Sequence, residues 1–174
     1  STYSKVMFKK ILLAVAVALP MCAAAQLPKF GTVEVETVFQ AMPETQAATT
    51  QIEEASKKYE GELAKLQEEF NKKYTELQTL DKDTATPQSI KERRMQELTE
   101  LNDKIQQFRQ TASQDLQRQQ QTLMAPIQER IITAIKAVGQ ENNFTFILTN
   151  DQPVYIGADV VDVTPMVKAK LGLQ

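Results

Sequence analysis

The sequence has few of the residue types from which catalytic and metal sites are built. Its 174 residues include a single Cys, no His and no Trp, and aromatic residues make up only 6%. The absence of His excludes a Ser-His triad, and zinc or haem would find almost no ligands. No Gly-rich loop followed by Lys is present, so no phosphate cradle for ATP is predicted. We therefore expect no enzyme, no cofactor and no metal site.

Three carboxylates near the end of the chain form the one candidate for catalysis. Asp151, Asp159 and Asp162 lie close together in the sequence, as a carboxylate-only site would require. Each stands beside a predicted turn or helix start, where carboxylates commonly accept hydrogen bonds from backbone N–H groups. The interpretation as capping residues is favoured over catalysis.

Long hydrophobic runs are also scarce, and the clearest one lies near the N-terminus. In MFKKILLAVAVALPMCAAAQ, Lys9 and Lys10 precede an apolar run at 11–19, and three alanines end at Ala25. A basic start, a short apolar core and small residues at A-x-A spacing are typical of a secretory signal peptide. The run is about half of the roughly 20 residues that span a bilayer, so a permanent anchor is the weaker alternative. We predict that residues 1–25 are a signal peptide, removed by cleavage after Ala25.

A lipidated N-terminus is a second alternative. The stretch LPMC ends in Cys22 and resembles a lipobox, in which the Cys carries the lipid. The residue before such a Cys is small, whereas Met21 is large. Cleavage after Ala25 is therefore favoured.

The exported chain is acidic. The full sequence has 20 basic and 22 acidic residues, and removing residues 1–25 takes away three lysines and no acid, which leaves 17 against 22 and a net charge of −5. Because nucleic acid binding requires a basic face, nucleic acid is not expected as a partner. The exported chain would also contain no Cys, so no disulfide supports it in an oxidising compartment.

The middle of the chain predicts an antiparallel helical hairpin over residues 44–125. The first apolar stripe repeats every eleven residues, which corresponds to about 3.67 residues per turn and a nearly straight seam. A Pro-containing turn at 81–89 separates two stretches of 39 residues each, 44–82 and 87–125. A single continuous helix that is doubled only in a dimer is the alternative, and the turn argues against it. The stripes consist of Ile52, Ala55, Tyr59, Leu63, Leu66, Phe70, Tyr74 and Leu77 in the first helix, and Leu98, Leu101, Ile105, Phe108, Ala112, Leu116 and Leu123 in the second.

The flanking segments, 26–43 and 126–174, predict a small β-rich body. Apolar and polar residues alternate from Thr32 to Thr37 and from Phe144 to Thr149, and a third short run follows at 154–156. Pro126 is expected to break or kink the second helix, so that the segment 127–140 belongs to the body rather than to the arm.

The end of the chain predicts one more short helix. Thr164 is expected to cap it, Pro165 occupies its first position and Gly172 ends it.

The predicted strands are too few to bury their own apolar face. Three short strands with two open edges are marginal in one chain, so we expect copies to join their strands into one closed or nearly closed sheet. Monomeric or dimeric packing remains an alternative. The residues predicted to build this oligomerisation body are Val33, Val35, Phe144, Phe146, Leu148, Val154 and Ile156.

The order of these pieces resembles the Skp (OmpH) family of periplasmic chaperones for outer-membrane proteins. The resemblance rests on FGTVEVETVFQAMPE, on the Gln- and Lys-rich hairpin, and on NFTFILTND with VYIGADVVDVTPMVKAKLG at the end. It implies an α+β fold in which three chains share a β-barrel-like body and extend three coiled-coil arms around a cavity. It further implies an ATP-independent holdase in the periplasm that binds unfolded outer-membrane proteins.

The charge of this chain departs from that of better-known relatives, which are strongly basic. Some positive character remains near the turn, where four basic residues against Asp83 and Glu92 leave +2 over 82–94. We treat this tip as a candidate site for client binding or transient contact with a membrane surface, and a solvated charged face as the simpler alternative. The candidate residues are Lys82, Lys91, Arg93, Arg94 and Met95.

A second functional hypothesis does not involve unfolded clients. In it, the chain is a non-enzymatic adaptor or scaffold of the cell envelope, and the helical arm serves as a spacer between components.

Overall fold

The structure is a computed structural model that describes residues 26–174. Along the chain these residues form β1 (Phe30–Val33), α1 (Val35–Ala41), α2 (Pro43–Lys82), α3 (Gln88–Glu141), β2 (Phe146–Thr149), β3 (Val161–Asp162) and α4 (Thr164–Lys170). The fold is therefore α+β, with two long helices and a small sheet. The predicted signal peptide lies outside the described residues.

The two long helices pack against each other in opposite directions. The Tyr59 hydroxyl on α2 donates a hydrogen bond to Asp115 on α3 at 2.6 Å, and Arg109 on α3 donates to Gln67 on α2 at 3.3 Å. The partner number on α3 falls as the number on α2 rises, which is the signature of an antiparallel pair. The prediction of two long helices is confirmed, and the alternative of one continuous helix is wrong. At 40 residues, α2 is about 60 Å long.

The turn between the helices is organised by Asp83. Its carboxylate accepts hydrogen bonds from the Ala85 backbone N–H and the Thr86 hydroxyl, each at 2.9 Å. The bond from the Ala85 N–H lowers the pKa of Asp83, because it favours the charged carboxylate. Lys91 reaches back across the turn to the Asp81 carbonyl at 3.3 Å and so satisfies an acceptor at the end of α2.

Pro126 does not end the second helix, contrary to the sequence-based expectation. α3 continues through Pro126 to Glu141 as one element of 54 residues. Beyond the proline, α3 buries Ile127, Ile131 and Val138 in the body, at helical spacing. We attribute the continuity to this burial, which offsets the hydrogen bond that proline cannot donate. One helix thus forms part of both the arm and the body.

The sheet is parallel and has the strand order β2-β1-β3. Phe30 lies beside Phe146 and Thr32 beside Leu148 in the register of β1 and β2, and Thr32 also lies beside Asp162 of β3. One face of the sheet packs on α3, where Ile147 approaches Gly139.

Two predicted strand segments are corrected. Val35 and Thr37 are helical rather than extended, because Val35, Val38, Phe39 and Met42 follow the i, i+3, i+4, i+7 spacing of a helix that buries Val38 and Met42. The run 154–156 is not a strand, and the third strand is instead Val161–Asp162. In addition, Phe144 precedes β2, which begins at Phe146.

A single apolar core joins the sheet, α1, the start of α2, the end of α3 and α4. Its buried members come from the segments that precede and follow the hairpin and from the body ends of the two long helices. They are Val33, Val38, Met42, Ala48, Ile127, Ile131, Ala134, Val138, Val163 and Val167.

Truncating Ile131 should destabilise this core strongly. Ile131 is 1% exposed, so Ile131→Ala would leave a cavity and is expected to lower the free energy of unfolding by about 2–5 kcal/mol. Its neighbour Ile132 is 52% exposed and provides a matched control, for which Ile132→Ala should change stability by less than about 0.5 kcal/mol. Urea unfolding at equal chain concentrations measures both. Equal losses for the two variants would contradict the described burial.

The last helix is tied to the first strand through the hydroxyl of Thr164. This hydroxyl accepts a hydrogen bond from the Glu34 N–H at 2.9 Å and lies 2.6 Å from an oxygen of Asp162. Thr164 therefore links two segments rather than capping its own helix as predicted. Gly172 ends α4 as predicted, with φ +72° and its N–H bonded to the Ala169 carbonyl at 3.0 Å.

Candidate functional site

An uncovered apolar face of the sheet is the most prominent exposed surface of the body. We define the open sheet face as Phe30, Phe146 and Leu148, which lie on the side of the sheet opposite the core. The rings of Phe30 and Phe146 stack at 6.0 Å with an angle of 8° between their planes. Phe146 is nevertheless 59% exposed and Leu148 48% exposed. Burying such side chains is favourable, so this face is suited to contact with another polypeptide.

A second exposed apolar segment follows β2. We define the apolar loop as Val154, Tyr155 and Ile156, three consecutive side chains that are all exposed, Val154 completely so. Gly157 closes the loop, and a Cβ at that position would lie 2.9 Å from Asp159. A larger residue would therefore displace the Asp159 side chain.

The predicted oligomerisation residues separate into two groups. Val33 belongs to the core of the single chain, and Val35 and Phe144 are half-buried against that core. The other four face outward. They are Phe146, Leu148, Val154 and Ile156.

The outer edge of β2 is the third feature of this surface. In the sheet of the described chain β2 pairs only with β1, so the backbone of its other edge has no strand beside it. Together with the open sheet face, this edge could accept a strand from a second polypeptide.

The predicted tip residues are mostly engaged with neighbouring groups. Glu97 forms ion pairs with Arg94 at 2.9 Å, Lys73 at 3.5 Å and Arg93 at 3.7 Å. The hydrogen bond from Arg94 lowers the pKa of Glu97. The net charge of +2 over residues 82–94 does not include Glu97, and this acid offsets part of the positive charge at the tip.

Apolar side chains are also exposed near the tip. Met95, a predicted site residue, is 53% exposed, and Lys82 is exposed as well. Ile90 and Tyr74 are exposed too, although Tyr74 belongs to the predicted seam and stacks on Phe70 with ring centroids 6.4 Å apart. The hairpin end therefore presents scattered apolar groups between charged ones, without a fitted pocket.

The middle of the arm contains a polar cluster within the seam. Besides the bond from Tyr59, Asp115 accepts a hydrogen bond from Gln119 at 2.8 Å. The bond with Tyr59 lowers the pKa of Asp115 and raises that of Tyr59. Phe108 packs edge-on against Tyr59, with ring centroids 5.8 Å apart. A cleft of about 450 Å³ borders these two rings and Ala55.

The three carboxylates considered for catalysis do not form a shared site. Asp162 accepts hydrogen bonds from the Thr164 N–H and hydroxyl, and Asp159 lies within the turn after Gly157. Within residues 26–174, no cluster of three or more acidic, Cys or His side chains is arranged to hold a metal ion. The helices of the same range include none that is long and apolar enough to span a membrane.

The fold and these surfaces define a class of proteins in which a long helical hairpin projects from a small α/β body with exposed apolar patches. A family model described as outer membrane protein (OmpH-like) matches residues 29–171. The chain therefore belongs to the OmpH-like family, a family of chaperones of outer-membrane proteins.

Several solved chains have a similar fold, and one of them covers most of this chain. It is a protein of Caulobacter crescentus described as a candidate outer membrane chaperone (OmpH-like), with a TM-score of 0.70, 16% sequence identity, and coverage of 85% of this chain and 86% of that chain. At this identity the likeness shows the fold alone. No curated protein matches the chain.

Proposed function

We propose that this chain is an ATP-independent holdase of the periplasm that binds unfolded outer-membrane proteins and prevents their aggregation. The surface of the arm supports this proposal most. Its surface is mainly charged and amide-bearing, and apolar side chains such as Met95, Ile90 and Tyr74 are scattered along it. Such a surface offers many weak contacts to an extended chain.

The chemistry of the clients explains why weak contacts suffice. An unfolded outer-membrane strand alternates apolar and polar residues and cannot satisfy its backbone until it closes into a barrel in the bilayer. A holder has to compete with aggregation but release the client to the membrane. Adaptable apolar contacts meet both demands without a nucleotide cycle.

We further propose that the chain assembles into a homo-oligomer, namely the trimer that its resemblance to the Skp (OmpH) family implies. The open sheet face, the free edge of β2 and the apolar loop lie in the body, where copies can meet without involving the arms. Strands from neighbouring chains would cover Phe146 and Leu148 and complete a β-barrel-like body. The arms would then project around one shared space.

An adaptor of the envelope is the second candidate. Each helix of the arm is continuous over at least 40 residues, so the hairpin is long enough to act as a spacer of about 60 Å. In that role the body would bind one folded partner, and unfolded proteins would not be ligands.

An aggregation assay separates these two functions. The mature chain is expected to suppress the aggregation of an outer-membrane porin diluted from urea, at near-stoichiometric ratios and without ATP. A folded porin should not be bound. If aggregation proceeds unchanged while a single folded envelope protein is captured, the holdase proposal is wrong and the adaptor is supported.

A further inference from the structure

The arm is packed unevenly along its length. Near the tip, Leu77, Leu98, Leu101 and Ile105 are buried between the helices, and at the other end Ala48 belongs to the body core. In between, every stripe residue of α2 is at most half-buried, and among the stripe residues of α3 only the small Ala112 is buried. We define this middle stretch, 49–70 with 106–123, as the mid-arm seam. Since buried apolar area holds a helix pair together, the mid-arm seam is the weakest part of the arm.

Gly61 weakens the same stretch further. It lies inside α2, where glycine is unfavourable because the helix removes its large backbone freedom. A Cβ at this position would meet no atom within 4 Å, so packing does not require a glycine there. The residue makes local opening of α2 easier and serves no contact in the closed arm.

The polar cluster makes opening less costly as well. The Tyr59 hydroxyl and the Gln119 amide both donate hydrogen bonds to the Asp115 carboxylate while the seam is closed. When the helices separate, water can satisfy all three groups. A seam closed by Leu or Ile at these positions would instead expose only apolar surface.

We propose that the mid-arm seam opens locally and binds an extended apolar segment of an unfolded polypeptide between α2 and α3. The proposal rests on the holdase function and names the part of the arm that binds the client. The cleft beside Tyr59 and Phe108 is the entry point, because it lies where the two helices meet and gives access to both rings past a rim of charged and amide side chains. A client side chain that enters there replaces contacts that the helices make with each other.

The partner that fits is a strand with apolar or aromatic residues at alternate positions. Opening exposes Leu63, Leu66 and Leu116 together with the two aromatic rings, so client side chains find apolar surface along both helices. Because the apolar contacts of the client replace those between the two helices, the net affinity for the client stays low and its release remains easy. The charged outer faces of α2 and α3 stay in water throughout.

A reversible cross-link across the seam tests this. The bonds Tyr59–Asp115 and Gln67–Arg109 bracket Leu63 and Ala112, which places these two residues opposite each other. In the mature chain, which has no Cys of its own, the pair Leu63→Cys and Ala112→Cys can be closed by oxidation to a disulfide and reopened by reduction. The matched control is Leu77→Cys with Leu98→Cys, two residues buried in the distal seam.

The closed mid-arm variant should need at least about tenfold more protein to hold a urea-diluted porin, because local opening is blocked. Its reduced form should hold the porin as the parent chain does, and the closed control should do so too. If the closed mid-arm variant holds the porin normally, the seam is not the client site, although the holdase function stands. If the parent chain itself does not hold the porin, the proposed function fails instead.

Hydrogen exchange of the parent chain gives a measurement that needs no client. Amides of residues 53–70 should exchange at least about tenfold faster than those near Leu77, Leu98 and Ile131. Gly61→Ala should slow the mid-arm amides by about fivefold, and adding Ala64→Gly should restore them. Equal protection along the whole arm would show that the seam does not open.

Discussion

Replacing Phe146 by Asp is expected to convert the assembled protein into single chains. Phe146 is 59% exposed and contacts mainly Phe30, so the isolated chain can fold with a carboxylate in its place. In the proposed assembly the same position is covered by a neighbouring chain. Burying an unpaired carboxylate there costs several kcal/mol, which is enough to disrupt an interface that depends on a few apolar side chains. Sedimentation of the mature chain would record the drop in mass.

Met95→Asp is the matched control for this substitution. Met95 is exposed to a similar degree but lies at the other end of the arm. This variant should retain the mass of the parent assembly. An unchanged mass for Phe146→Asp, with native circular dichroism, would mean that the open sheet face is not the interface.

Shortening the arm should abolish the holding of large clients while assembly persists. Deleting residues 66–76 from α2 and 95–105 from α3 removes eleven residues from each helix. Because eleven residues make up about three helical turns, the remaining side chains keep their faces and the seam stays in register, and each arm becomes about 17 Å shorter. The body core contains none of the deleted residues. The space enclosed by the arms would shrink, so a large porin should aggregate at ratios that fully protect it in the parent.

A short client provides the internal reference. A peptide of one or two outer-membrane strands should still be held by the shortened protein, since residues 49–65 and 106–123 of the mid-arm seam are retained. Sedimentation should show the parental number of chains. Full protection of the large porin by shortened arms would argue against a cavity that the arms form.

The arm could be predicted from the sequence because its pattern is long and regular. Nearly every stripe residue lies in the seam, and two predicted helical stretches of equal length around one turn indicate an antiparallel pair. Tyr74 is the exception, because it stacks on Phe70 outside the seam. A periodicity repeated over many turns outweighs the ambiguity of any single residue.

The body was predicted less well because its elements are short. The alternation from Thr32 to Thr37 fits a strand, but Val38 and Met42 extend an equally good helical stripe, and the helix buries both. The run 154–156 has the β-branched and aromatic composition of a strand and no strand beside it in the described chain. Val161–Asp162 is too short to give any pattern. Local sequence cannot show which segment the first strand selects as a neighbour.

The candidate site was predictable in composition but not in arrangement. Phe146 and Leu148 were predicted as strand residues of the oligomerisation body, and Val33 was placed with them because all three alternate with polar neighbours; in the structure Val33 is buried and the other two are exposed. Only the packing of α3 on one face of the sheet distinguishes them, and that contact joins residues far apart in the chain. The influence of Glu97 on the tip was missed for a different reason, because the charge count over 82–94 ended three residues before it.

The link from Glu34 to Thr164 sets the order in which the molecule can take shape. The first strand must wait for residues 146–149 and for the final helix, so nothing closes the body until almost the whole chain has emerged from the ribosome. The hairpin needs only its own two helices and can form earlier. In the periplasmic role that we propose, this delay would favour passage of the chain through a narrow translocation pore, because the body core is completed last.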